Sequence, residues 1–239
     1  MTNTDKNWAS LVTLLMFGVL FCQSPLACAQ ANNTEDWESF GLMHLTVEPG
    51  EKISGALPIG AGADGIETFI PVTIFHGKNS GPVLTLIAGI HGSEYSPIVS
   101  MQRLPKLLDP AEMSGTLIIV HIANIPAFRS RTIYIGPNDL KNLNRSFPGK
   151  PNGTVTERIA HVLTEEVIAR ADYLIDIHSG DANESLRPSY SAYYREAGGE
   201  DVVRESRRIA IAFGLKTVVQ FAGSFDSVDD AIYTSAQAV

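Results

Sequence analysis

Four short apolar stretches punctuate the chain: residues 83–90 (VLTLIAGI), 117–122 (LIIVHI), 173–177 (YLIDI, with one acid) and 217–221 (TVVQF). Runs of this length, without strict polar alternation, are expected of strands buried on both faces. Upstream, Ile70, Val72 and Ile74 alternate with Pro71, Thr73 and Phe75. That predicts a strand at a sheet edge, where a residue without an N–H is tolerated. Lys78-Asn79-Ser80-Gly81 reads as a turn.

Helical spacing fills the gaps. Ser96-Pro97 resembles an N-cap followed by proline at the first helical position, and Ile98, Met101, Leu104 and Leu108 continue the stripe until Pro105 kinks or ends it. Thr154 and Glu157 have capping-box spacing ahead of Ile159, Leu163 and Val167. Val202, Ile209 and Phe213 mark a third helix, and residues from Val228 onward a fourth. Buried strands alternating with helices predict an α/β fold: a mostly parallel mixed sheet flanked by helices on both faces.

The first 65 residues read differently. Residues 11–21 (LVTLLMFGVLF) are an uncharged run of 11, too short for a bilayer span of about 20. The polar stretch with Lys6 before it and Ala27-Cys28-Ala29 after it have the order of a secretory signal peptide over residues 1–29. The expected location is therefore periplasmic or secreted, with a lipid anchor on Cys28 as a minor alternative. Residues 30–65 are expected to form a polar, glycine-rich leading segment with one short strand, and residues 66–239 the main α/β domain. Cleavage after Ala29 removes Cys22 and Cys28, the only two cysteines, so a disulfide framework and a cysteine-built metal site are both excluded from the body of the chain. The formal charge of −8 weighs against nucleic acid as a partner, and beyond the export signal no membrane partner is expected.

Candidate chemistry gathers where ligand sites of open α/β sheets lie, at the carboxyl ends of strands. The stretch ending at Ile90 runs into His91-Gly92-Ser93-Glu94, the one ending at Ile177 into His178, and the one ending at Ile122 into Asn124. His91 and Glu94, three apart in a turn, can converge on one ion, and His178 from another strand can complete the set. Three protein ligands with one open position are the arrangement of a catalytic zinc. Each signal alone has a plainer reading: Glu94 as a favourable charge at a helix start, Gly92 as a turn residue. Asp176, two before His178, shares its face of the strand. It either orients the imidazole or is a solvated strand-end acid. His44, His76, His121 and His161 read as structural.

Four strings taken together, HGSE, NIPAF, KNLNRSFPG and DIHSG, resemble the succinylglutamate desuccinylase/aspartoacylase family of the zinc carboxypeptidase-like superfamily. The resemblance covers roughly residues 66–239. It implies that His91, Glu94 and His178 ligate one zinc ion per chain, and that Asn144 and Arg145 bind a substrate carboxylate. The planar fork of an arginine suits that task. The family's carbonyl-polarising arginine falls by alignment on Ile133, so Arg131 is its expected substitute, with Arg129 behind it. The family's general base, a glutamate on a later strand, has no counterpart here. Glu184, Glu196, Glu200 and Glu205 lack the preceding apolar strand, and the base is expected beyond Val239, on a chain cut short at its C-terminus. The activity implied is zinc-dependent hydrolysis of the amide bond of an N-acyl amino acid. The alternatives are an envelope metallocarboxypeptidase acting on peptides and a non-catalytic zinc- and carboxylate-binding protein. In each reading the partner is a small acyl amino acid or a peptide.

Overall fold

The computed structural model describes residues 37–184, 189–195 and 199–222. The expectations placed on residues 1–29, on Glu196 and on the helix from Val228 lie outside them. The described residues fall into two units divided after residue 186.

The larger unit is built on a five-stranded mixed sheet of order β3-β4-β6-β5-β7, comprising β3 (Glu51–Ala61), β4 (Glu67–His76), β5 (Asn79–Ala88), β6 (Ser114–Val120) and β7 (Tyr173–Ile177). β5 pairs in parallel with β6 and β7, while β4 is antiparallel to both of its neighbours. Four strands therefore run one way and β4 alone is reversed. A two-stranded hairpin, β1 (Phe40–Leu42) and β2 (Leu45–Val47), precedes the sheet.

Residue alternation along the strands sorts the core into two layers. Ile74, Ile87, Ile118 and Val120 pack on one face with Ile159, Ala160, Leu163 and Val167. Phe75, Leu86, Ala88, Leu117 and Ile119 pack on the other with Met101. The first layer belongs to α3 (Val155–Val162), which continues through one π turn (Leu163–Val167), and the second to α1 (Tyr95–Arg103). Helices thus cover both faces, as the strand-helix alternation predicts. A short helix, α2 (Ile125–Ser130), follows β6.

Four local expectations are corrected. The leading segment of residues 30–65 holds three strands rather than one, and β3 belongs to the main sheet. Pro71 is not on an edge strand. Its carbonyl accepts from the His121 N–H, and the β4–β6 ladder stops one residue later, at Val72. N–H and C=O of one strand residue point the same way, so the missing N–H falls on the β6 side at the end of that ladder, where it forgoes only the reciprocal bond to the His121 carbonyl and leaves the pairing with β3 intact. α1 starts two residues early, with Glu94 rather than Ser96 as its N-cap, and Pro105 converts its end to a 3₁₀ turn (Leu104–Lys106). Finally, β7 is half-buried rather than buried, being the margin of the described sheet.

The smaller unit contains β8 (Tyr190–Tyr194), α4 (Glu200–Ala212) and β9 (Thr217–Phe221). β9 is a strand as expected, but it pairs in parallel with β8 in a two-stranded sheet rather than extending the large one. Among the described residues no helix is long and apolar enough to cross a membrane.

Candidate metal centre

β5 and β7 end side by side, Ala88 opposite Ile177. The chain passes from β5 to β6 on one side and returns to β7 on the other, so the crevice at their carboxyl ends is the place where such sheets bind ligands. His91 follows β5 and His178 follows β7. Gly92 is what lets the HGSE turn sit here: a Cβ on it would lie 2.2 Å from the Ala127 carbonyl carbon and the Phe128 nitrogen. The glycine of this turn is therefore required by close packing against α2. The turn is fastened by Ser93, whose hydroxyl donates to the Thr132 carbonyl at 2.9 Å.

His91, Glu94 and His178 converge, with one donor atom from each lying within 4.8 Å of the others. Nδ1 of His91 is 2.8 Å from Glu94 Oε1, and Nδ1 of His178 is 3.0 Å from Glu94 Oε2. Glu94 is 3 % and His91 8 % exposed. Although Glu94 stands at the N-cap of α1, its side chain makes no capping hydrogen bond, so the carboxylate is committed to the two imidazoles.

The far nitrogen of each ring is held by an acceptor. His91 Nε2 donates to Asn142 Oδ1 at 3.2 Å, and His178 Nε2 donates to Asp176 Oδ2 at 2.7 Å. A ring that donates from Nε2 presents the Nδ1 lone pair, which is how histidine ligands are oriented in metal sites. Two Nδ1 atoms and a buried carboxylate facing one another form a borderline-hard donor set suited to zinc. Burial pulls the His178 pKa down, but the charges and hydrogen bonds of Asp176 and Glu94 outweigh it and push it up to about 11. Burial raises the Glu94 pKa, yet the two imidazoles leave it below its ordinary value. A proton here occupies the position a cation would take.

Asn142, which the sequence reading passes over, ties two parts of the site together. Its Oδ1 also accepts the Asn144 backbone N–H at 2.8 Å, opening the 3₁₀ turn Leu143–Arg145. The Asn144-Arg145 pair is thereby anchored two residues from the group holding His91. Arg145 is exposed, and its Nη1 donates to the Asn144 carbonyl. This loop is strapped to the start of α3, where Asp139 accepts from the N–H and hydroxyl of Thr156, and Lys141 pairs with Glu157 at 2.9 Å.

Other candidates are less engaged. Arg131 caps α2 in the left-handed region (φ 54°), and its exposed side chain makes no hydrogen bond to the three converging residues. Arg129 lies over the Phe69 ring, 5.7 Å from its centroid. Asn124 caps α2 by accepting from Ala127. His76 is a buried structural histidine bonded to Thr116 and Glu38, and His121 bonds to Thr73. Tyr134, also unforeseen, sets its ring edge-to-face with His91 at 5.2 Å.

The family model for the succinylglutamate desuccinylase/aspartoacylase catalytic domain matches residues 80–236. The chain belongs to this family. Among family relatives, an N-alpha-acetyl-L-2,4-diaminobutyric acid deacetylase of Halomonas elongata is 32% identical over 209 residues, covering 85% of this chain and 55% of its own length. The crystal structure of a succinylglutamate desuccinylase from a Silicibacter species superposes with a TM-score of 0.72 at 28% identity, over 83% of this chain and 59% of that one. In fold alone the chain is also similar to carboxypeptidase A of Helicoverpa armigera, with a TM-score of 0.52 at 12% identity, over 78% of this chain and 57% of that one. The chain thus spans a little over half the length of the proteins it matches.

Proposed function

We propose that this member of the family cleaves the amide bond of an N-acyl amino acid with one zinc ion held by His91, Glu94 and His178. The observation that carries the reading is the convergence of two Nδ1 atoms on one buried carboxylate, each ring fixed from behind by Asn142 or Asp176. A zinc ion bound by such a set polarises an amide carbonyl and brings the pKa of water to about 7. The chain's own residues supply positioning. Asn144 and Arg145 are proposed to receive the substrate carboxylate, Arg145 through two parallel hydrogen bonds. Arg131 is proposed to swing onto the carbonyl oxygen as it gains charge. The relative that deacetylates an N-acetyl diaminobutyric acid makes acetylated diamino acids the first substrates to try.

The chain covers 55% of that deacetylase, so the general base and the turnover rate are questions for the whole protein. Metal and ligand binding depend on the residues described above. The test is zinc content by atomic absorption, together with amide hydrolysis by the full-length protein, in the wild type and in His91→Ala and His178→Ala. The expected result is one zinc per chain in the wild type and a loss of both zinc and hydrolysis in each variant. Full activity in both variants would refute the reading. We further propose that residues 1–29 direct export. N-terminal sequencing of exported protein is expected to begin at Gln30.

A further inference from the structure

One wall of the site is made by residues that the deacylase reading leaves idle. The turn after His178 brings Asp181 into the interior: the residue is 1 % exposed, and its Oδ1 is buried without a hydrogen-bond partner. The turn is pinned to the HGSE segment, Ala182 N–H donating to the Ser93 carbonyl at 2.9 Å. Ala182 is held in the left-handed region (φ 48°), an unfavourable conformation for a residue with a Cβ. Glu184 stands beside Asp181, its Oε2 accepting the Asp181 backbone N–H at 3.2 Å, and its Oε1 lies 3.4 Å from the Tyr134 hydroxyl. Tyr134 is the residue whose ring meets His91 edge-on. Burial, and after it the negative charges of Glu94 and Glu184, raise the Asp181 pKa against the opposing His91 and His178, while the Ala182–Ser93 hydrogen bond ties its turn to the segment that carries His91 and Glu94.

We propose that Asp181, with Glu184 beside it, receives the ammonium group of a basic N-acyl amino acid. This rests on the deacylase reading and assigns the residues that would recognise the substrate's second amine. A buried, ionised carboxylate oxygen with no hydrogen-bond donor is costly unless a proton or a cation meets it, and Asp181 Oδ1 is such an oxygen. Among the described residues, no lysine or arginine pairs with Asp181 or Glu184. Asp181 and Glu184 are two acids side by side on one turn, held together by the Asp181 N–H on Glu184 Oε2, so this turn presents negative charge to an incoming group. A second metal ion is a poorer fit, because Asp181 is not among the groups whose donor atoms cluster tightly enough to share an ion. An ammonium needs only one or two good acceptors and brings its own donors. The same wall repels a substrate whose side chain ends in a second carboxylate.

The experiment is calorimetric binding to the zinc-loaded chain of three ligands of similar length: Nα-acetyl-2,4-diaminobutyrate, Nα-acetylnorvaline and Nα-acetylglutamate. The diamino ligand is expected to bind tightest and the glutamate ligand weakest. Losing a charge-assisted hydrogen bond should cost about tenfold or more. Asp181→Asn is therefore expected to weaken the diamino ligand by about that factor while leaving the norvaline ligand within about twofold. Glu184→Gln, at an exposed position, should shift the same ratio less, and it provides the readout if Asp181→Asn fails to fold. Equal binding of the diamino and norvaline ligands, preference for the glutamate ligand, or loss of zinc stoichiometry in Asp181→Asn would each overturn the inference. A wild type that binds none of the three overturns the deacylase reading as well, which separates the two failures.

Discussion

Asn142→Ala removes the one oxygen that accepts from both the His91 ring and the Asn144 backbone. Two donors lose their partner, each worth about 1 kcal/mol net, so the fold should lose about 2 kcal/mol. The metal effect is separate. Removing the group that orients a histidine ligand typically lowers metal affinity about 10–100-fold, or about 1.4–2.7 kcal/mol. Zinc affinity is read by competition with a chromophoric chelator, and stability by urea unfolding of the metal-free chain. Asn142→Asp keeps an oxygen acceptor at the same position and should recover most of both losses. A metal-free chain destabilised by about 2 kcal/mol with unchanged zinc affinity would refute the reasoning. Asn142 would then be a turn former with no hold on His91.

Other outcomes follow from the same geometry. Gly92→Ala forces a methyl into the α2 backbone at 2.2 Å and should destabilise by about 3 kcal/mol, near the top of the usual range for overpacking, with zinc binding lost alongside; thermal unfolding and zinc content check both. Because the His178 pKa is pushed up to about 11, zinc binding at pH 8 should displace about one proton, seen as a buffer-dependent heat in calorimetry. Asp176→Asn should reduce that proton count and weaken zinc, and an unchanged count would refute the assignment. The Glu157 pKa is lowered from 4.5 to about 2, chiefly by Lys141 and the Thr154 N–H. A carboxylate with a depressed folded-state pKa contributes stability that is complete above its ordinary pKa and fades as pH falls through the folded value. The stability gap between wild type and Glu157→Gln should thus be about 1 kcal/mol at pH 7, the scale of a helix cap, and close near pH 2. A gap that widens with acid would contradict it.

The sheet was legible in sequence wherever burial is two-sided. Residues 83–88 and 117–120 read as apolar runs because helices cover both faces of β5 and β6, and α3 announced itself through Thr154 and Glu157. The hairpin and β3 were not legible. Residues 51–61 carry two glycines, a proline and a lysine, because β3 is the outer strand next to β4 and stays partly exposed for much of its length. Its pairing partner, not its own composition, makes it a strand. Pro71 misled for a related reason. The cost of a missing N–H depends on where the neighbouring ladder ends, which one strand's sequence does not contain. The 217–221 run looked like another core strand, since apolar content specifies burial but not which sheet supplies it.

Within the site, residue type and position carried different amounts of information. Histidine and glutamate at strand ends are rare enough to be noticed, and the topology did the rest by ending β5 and β7 together. Asn142 was invisible because asparagine is ordinary in a loop and its role lies in an oxygen that faces a residue 51 positions away. Asp181 was invisible for the opposite reason. An acid three residues after His178 reads as solvated loop charge, and only its burial without a partner gives it meaning. That distinction bears on specificity within the family. In the proposed reading the trio of His91, Glu94 and His178 would fix where a bond is cleaved, whatever the substrate's side chain. Discrimination among acyl amino acids has to come from groups that meet the side chain, and in the proposed arrangement that role falls to two acids, Asp181 and Glu184. A deacylase for dicarboxylic substrates needs the reverse sign on that wall. The charge of residues 181 and 184, rather than the metal set, is therefore the feature that would separate this chain from relatives acting on acidic substrates.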